Sequence, residues 1–237
     1  MFSYRADPGA TGVGVAFFDA VGPDGARFDL GLSGYPGWRS PDWEIVEAEL
    51  GVPVLNAYQV HSARVVEVDA RTDARELAGL HADALVSASA GIGLAVRAAD
   101  CLPVLFADVE AGLIGAAHAG RVGLGAGVLA ATVAALAGLG ASRLSAWIGP
   151  HICGECYEVP EALRAEFSVA MPSAGARTSW GTPSLDLGAA ATAQLEALGV
   201  EVARLDPCTR TTAELHSYRR DGAAAGRQAA VVWRPHA

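Results

Sequence analysis

Apolar positions in this chain come in short runs broken by Gly, Pro or charge. Eight of them have the length and composition of β-strands: Val13–Phe18, Val54–Ala57, Val65–Val68, Gly93–Val96, Pro103–Phe106, Leu113–Ala117, Ala146–Ile148 and Ala229–Trp233. A helical period shows elsewhere. Val128, Leu129, Val133, Leu136 and Leu139 fall on one helix face. Ser40 and Pro41 open a helix that Gly51 can end, and Asp186 caps another that runs towards Leu198 and stops at Gly199. Strands and helices mix without strict alternation, and no repeat, charge block or low-complexity linker divides the chain. The expected fold class is therefore α/β, a single domain over residues 1–237 with a mixed β-sheet sandwiched by helices.

Composition narrows the function classes. Half of the chain (51%) is hydrophobic and 18% is charged, enough for a large buried core and incompatible with broad disorder. No apolar run approaches the roughly 18 residues of a membrane span. Residues Met1 to Pro8 carry both charge signs and no apolar signal core, so a cytoplasmic protein without a membrane partner is expected. The net charge of −9 argues against a nucleic-acid partner, which needs clustered cations for phosphate contacts. It leaves room for a small anion in a local arginine pocket, and all 17 cations are arginine. Four cysteines are too few to staple a chain this long, so they read as free thiols or metal ligands.

Three segments carry candidate chemistry: Tyr58-Gln59-Val60-His61, Ala99-Asp100-Cys101-Leu102-Pro103 and His118-Ala119-Gly120-Arg121-Val122-Gly123. Each puts a metal-capable side chain at the end of a strand, on connecting backbone where sites usually form. A thiolate and two imidazoles suit zinc, and three protein ligands leave its fourth position open, as catalytic zinc requires. The spacings, 40 positions from His61 to Cys101 and 17 from Cys101 to His118, match no local zinc-finger pattern. Packed or hydrogen-bonded residues remain the alternative for each of the three.

The same segments sit inside a longer ordered pattern. It runs Gln59-Val60-His61, Ala82-Asp83-Ala84-Leu85-Val86, Ala99-Asp100-Cys101-Leu102-Pro103-Val104-Leu105, Gly115-Ala116-Ala117-His118-Ala119-Gly120, Ile148-Gly149-Pro150-His151-Ile152, Tyr157-Glu158-Val159, Cys208-Thr209 and Ser217-Tyr218-Arg219-Arg220-Asp221-Gly222. This set resembles the YfiH, or laccase-domain, family, also named polyphenol oxidase and peptidoglycan editing factor. The resemblance covers the chain from about residue 54 onwards. It implies metal ligands at His61, Cys101 and His118, and a purine nucleoside and phosphate as substrates. The activities it implies are phosphorolysis of adenosine, inosine, guanosine or methylthioadenosine, and deamination of adenosine. Asp100 and Arg220 become catalytic candidates, and Gln59, Arg121 and Arg219 substrate-binding ones. Guanidinium groups bind phosphate oxygens in pairs of hydrogen bonds. The chain departs from the family's pattern after His-Ala-Gly, where Arg121-Val122 stands in place of Trp-Arg.

Other chemistries compete. A His₂Cys set also holds copper, but six histidines with no His-x-His pair cannot build the several centres of a laccase. Cys101 as nucleophile with His118 as base would make a Cys–His hydrolase linked to peptidoglycan editing. A zinc that only staples loops would make neither. Cys153-Gly154-Glu155-Cys156 is read as free loop thiols, because no second C-x-x-C is present.

Overall fold

The computed structural model describes residues 1–31 and 39–236. Its elements, in chain order, are β1 (Phe2–Ala6), β2 (Gly14–Phe18), α1 (Asp42–Leu50), β3 (Val54–Leu55), β4 (Val65–Glu67), α2 (Ala74–Gly79), β5 (Ala84–Ser87), β6 (Ile92–Ala98), β7 (Leu102–Asp108) and β8 (Leu113–Ala119). After these come α3 (Arg121–Gly125), α4 (Val128–Gly138), β9 (Ser145–Ile148), α5 (Glu161–Ala170), β10 (Gly175–Arg177), β11 (Pro183–Leu185), α6 (Leu187–Ala197), β12 (Glu201–Arg204), α7 (Tyr218–Asp221) and β13 (Gln228–Arg234). The α/β class expected from the sequence holds. All eight expected strands are present, shifted by a residue or two at their ends.

The strands divide into two large mixed sheets rather than one. A five-stranded sheet has the order β1-β2-β13-β6-β3 and a six-stranded sheet the order β12-β9-β7-β8-β5-β4, with β10 and β11 forming a separate hairpin. Three of the four outer pairs, β3–β6, β4–β5 and β9–β12, are parallel, while the outer pair β1–β2 and all the inner pairs are antiparallel.

The sheets pack face to face. Val15, Phe17, Leu94, Val96 and Val232 of the first meet Leu85, Leu105, Ile114 and Ala116 of the second. The alternate residues of the same strands point outwards. Val104, Phe106 and Ala117 lie under Val128, Leu129 and Leu136 of α4 and Leu195 of α6, while Phe18, Val231 and Trp233 lie under Trp43 and Val46 of α1. Strands covered on both faces read as continuous apolar runs, whether the cover is a helix or another sheet. The pattern therefore revealed the strands without revealing that they form two layers.

Helix ends follow the expected chemistry. Asp186 accepts a hydrogen bond from Ala189 N–H (2.8 Å), and Gly51 and Gly199 both take positive φ, 69° and 77°. The first helix begins at Asp42, just after Pro41, and Ser40 Oγ accepts the Asp42 N–H.

Strand register decides where a site can form. Leu102 pairs with Ala119 and Val104 with Ile148 in one sheet, and Ala98 pairs with Gln228 in the other. The end of β6, the start of β7 and the ends of β8 and β9 thus share one edge of the sandwich, with the start of β13 beside them. The turn Ala99-Asp100-Cys101 carries the chain from one sheet to the other at that edge.

Candidate active site

Two connections and a strand end converge at this edge. His61 lies on the loop after β3, Cys101 on the turn between the sheets and His118 near the end of β8. Their ligand atoms all lie within 4.8 Å of one another. Cys101 Sγ is 3.6 Å from His61 Nε2, and the two imidazoles meet edge to face at 4.9 Å between ring centroids.

Asp83, immediately before β5, organises the cluster. Its carboxylate accepts hydrogen bonds from the backbone N–H groups of Val60, His61 and Ser62 and from Ser62 Oγ–H, at 2.6–3.1 Å. The His118 ring also meets it, with Nδ1 2.8 Å from Oδ1. Burial pushes the Asp83 carboxyl up, but the His118, Ser62 and Val60 hydrogen bonds overcome it and hold the group well below the usual carboxylate range. An ionised carboxylate only accepts, so His118 donates from Nδ1 and turns the Nε2 lone pair to the cluster. Burial lowers the His118 pKa against the opposing pull of Asp83, which keeps the ring neutral, the form that ligates metal.

The same carboxylate holds a strained loop. His61 takes φ = +62°, which a non-glycine residue adopts at a cost, and three consecutive N–H donors to Asp83 offset that cost.

The donor set and the space around it fit a zinc-sized ion. A Cβ on Gly120 would stand 2.6 Å from His61 Cδ2 and 2.9 Å from Cys101 Sγ, so only glycine lets the strand end approach the two side chains. Burial pushes the Cys101 thiol up to about 12, with Asp100 and Asp83 adding to the rise. Catalytic cysteines have depressed values, so burial disfavours a free thiolate nucleophile here. A divalent cation would reverse that balance.

Beside the cluster opens a pocket of about 480 Å³. Its apolar and aromatic walls include Tyr58, Ile152, Tyr157, Leu187 and Tyr218, and four arginines reach it: Arg97, Arg121, Arg219 and Arg227. Arg97 is 9% exposed. Burial, with the Arg227 charge added, lowers its pKa to about 10, which leaves it charged at neutral pH. Its Nη2 donates to Ala57 O (3.1 Å), while its buried Nε has no partner among the described residues. A protein of net charge −9 has gathered four cations around one cavity.

The residues expected from the sequence take distinct places. Gln59 lines the pocket, yet its side-chain amide is engaged by the backbone of Arg97, donating to the carbonyl (2.7 Å) and accepting from the N–H (2.9 Å). Asp100 also lines it, at φ = +88°, and its two oxygens accept from Thr209 Oγ–H (2.6 Å) and Arg219 N–H (2.7 Å). Arg121 lines the pocket beside Tyr157. Arg219 stacks its guanidinium 4.8 Å from the Tyr157 ring centroid and donates from Nη1 to Glu158 O.

Arg220 is not among the pocket residues. Its guanidinium donates to the carbonyls of Thr209, Thr212 and Leu215 and pairs with Asp221, strapping the 209–215 segment. No local pattern assigns a role to Asp83, Arg97 or Arg227. The first two had a signal, since each is a charge inside an otherwise apolar run.

A family model described as multi-copper polyphenol oxidoreductase laccase matches residues 41–235. The chain belongs to this YfiH/laccase-domain family. A purine nucleoside phosphorylase of Streptomyces coelicolor is 48% identical over 204 residues, covering 84% of this chain and 83% of that protein. An adenosine deaminase, RL5, from an unidentified prokaryote is 33% identical over 191 residues, 74% of this chain and 73% of its own. The crystal structure of a Neisseria meningitidis protein superposes with a TM-score of 0.80 at 32% identity, covering 98% of this chain and 99% of that one. The laccase-domain name implies several coppers, whereas His81, His151, His216 and His236 join no metal-capable group among the described residues.

Proposed function

We propose that this chain is a zinc-dependent purine nucleoside phosphorylase, with His61, Cys101 and His118 as the metal ligands. The observation that carries this reading is the adjacency of a His₂Cys cluster, its carboxylate already in place behind His118, to an aromatic pocket ringed by four arginines. Zinc when bound supplies Lewis acidity and can lower the pKa of a coordinated water. Everything else falls to the chain. The aromatic and apolar walls take the purine and exclude water. Arg97, Arg121, Arg219 and Arg227 hold phosphate by charge-assisted hydrogen bonds. Phosphate so held attacks the ribose C1′, the bond from C1′ to the purine nitrogen breaks, and the products are free base and ribose 1-phosphate. Arg219 and its neighbours take the phosphate, while Arg220, a catalytic candidate by sequence, straps the 209–215 segment instead. Asp100 acts as a positioning residue through Arg219 and Thr209, and Gln59 through Arg97. The reaction is proposed to take place in the cytoplasm.

The likeness to an adenosine deaminase supports a second activity at the same site, in which water replaces phosphate, attacks the purine carbon bearing the amine, and ammonia leaves as the C–N bond breaks. Incubating the zinc-loaded protein with adenosine, inosine, guanosine and methylthioadenosine, with and without phosphate, separates the two by chromatography. Phosphate-dependent release of free base is expected, alongside phosphate-independent conversion of adenosine to inosine. Absence of both with zinc fully loaded would overturn the reading.

A further inference from the structure

Away from the pocket, the structure gathers the remaining three cysteines. The Sγ atoms of Cys153, Cys156 and Cys208 all lie within 4.8 Å of one another. Cys153 and Cys156 share a tight turn after His151-Ile152, in which Cys153 O accepts the N–H groups of both Cys156 and Tyr157 at 3.0 Å. Cys208 comes from the segment after β12, which runs beside this turn through the pairing of His151 with Cys208 and the Thr209 N–H bond to His151 O. The C-x-x-C that read as loop thiols is therefore two thirds of a cluster whose third member lies 52 positions beyond Cys156 in sequence, counting from 156 to 208.

We propose that Cys153, Cys156 and Cys208 form a second metal site that binds a thiophilic divalent ion, zinc, through three thiolates, with water completing the shell. Three sulfurs bonded at about 2.3 Å in tetrahedral geometry stand roughly 3.8 Å apart, so the trio needs to close by no more than about 1 Å. A backbone donor and a cation stand beside the trio. Cys153 N–H points at Cys208 Sγ (3.4 Å), and Thr211 donates from its N–H (3.3 Å) and hydroxyl (3.4 Å) to the Cys208 carbonyl, which fixes the turn that presents the sulfur. Arg210 donates to Cys156 O (3.1 Å) and stacks on Trp180, which places a cation beside a site that would carry net charge −1. Loading releases three protons, one from each thiol, as the three Zn–S bonds form. A disulfide would use two sulfurs and leave the third buried beside it.

The site has a place in the architecture. Ile152 and Tyr157, on either side of the C-x-x-C turn, line the pocket, and Thr209, next to Cys208, holds Asp100. A metal here would clamp two pocket walls together without touching substrate.

The test uses cobalt(II) in place of zinc, added to reduced Cys101→Ala protein. With Cys101 gone, intense sulfur-to-cobalt charge-transfer absorption in the near ultraviolet can come only from the other three thiols. We expect that absorption, expect three thiols shielded from a thiol reagent until chelator is added, and expect both signals to vanish in Cys101→Ala/Cys208→Ser. The wild type gives a second reading by metal analysis, two zinc ions per chain. One ion per chain with no charge transfer in Cys101→Ala overturns the site. So does a mass two daltons low, showing that Cys153, Cys156 and Cys208 hold a disulfide instead. Neither result depends on nucleoside turnover, so this proposal and the catalytic reading fail separately.

Discussion

Asp83 and Asp100 are both buried at the same edge of the sandwich, and they do different work. Asp83 gathers donors from one short loop and from His118, and thereby sets the orientation of two of the three metal-capable side chains. Asp100 accepts one hydrogen bond from Thr209 and one from Arg219, and thereby ties the turn between the sheets to the segments that carry the pocket's far wall. Position next to Cys101 made Asp100 the obvious catalytic acid or base. The contacts show that adjacency along the chain is a weaker guide than the set of donors a carboxylate has collected.

The comparison breaks most easily at the metal. Cys101→Ala should lower the bound metal by one ion per chain and abolish phosphorolysis, read by metal analysis and base release. Loss of activity with the metal retained would remove Cys101 from the ligand set.

Asp83→Asn comes next. It puts an amide donor where five donors converge, so metal affinity should fall about 10- to 100-fold in chelator competition. Leaving buried N–H groups unmatched should also cost about 1–3 kcal/mol of stability for each one so left. Asp100→Asn should keep the metal affinity and instead raise the KM for phosphate or nucleoside; equal loss of metal in the two variants would erase the distinction between them.

The arginines sharpen the same contrast. Arg219→Ala should weaken phosphate use by roughly 10- to 150-fold, the value of a charge-assisted contact of about 1.5–3 kcal/mol, and should affect deamination less. The smallest effect on catalysis is expected from Arg220→Ala. It removes the strap from the 209–215 carbonyls and should lower the melting temperature while leaving the KM for phosphate near its original value.

Much of this site is legible in the chain, and the limits are physical. His61, Cys101 and His118 stand at strand ends within a recognisable order of motifs, and the structure brings them together. The arginine pair at 219–220 offered no means of telling its members apart, because neighbours on a short helix point in different directions. Arg97 carried a readable signal, a charge between Val96 and Ala98 in an apolar strand, but a buried charge can equally serve packing or binding. The association of Cys208 with Cys153 and Cys156 depends on a parallel approach of two distant segments, which no local pattern encodes. The two-layer sheet escaped for the same reason, since periodicity reports that a strand is covered and not by what.

The central place of β13 bears on how the protein assembles. Its residues pair with β2 on one side and with β6 on the other, so Val231 meets Ala16 and Ala95 across most of the length of the chain. Such distant pairing forms slowly, because a large loop must close before any contact is gained. As the chain leaves the ribosome, the six-stranded sheet can be complete while the five-stranded one still has a gap at its centre, with β1 and β2 separated from β3 and β6. Arg227, just ahead of β13, reaches the pocket only when that gap is filled. A nascent chain stalled before this strand should expose the apolar faces of β2 and β6, and should be the form most prone to capture by chaperones or to aggregation.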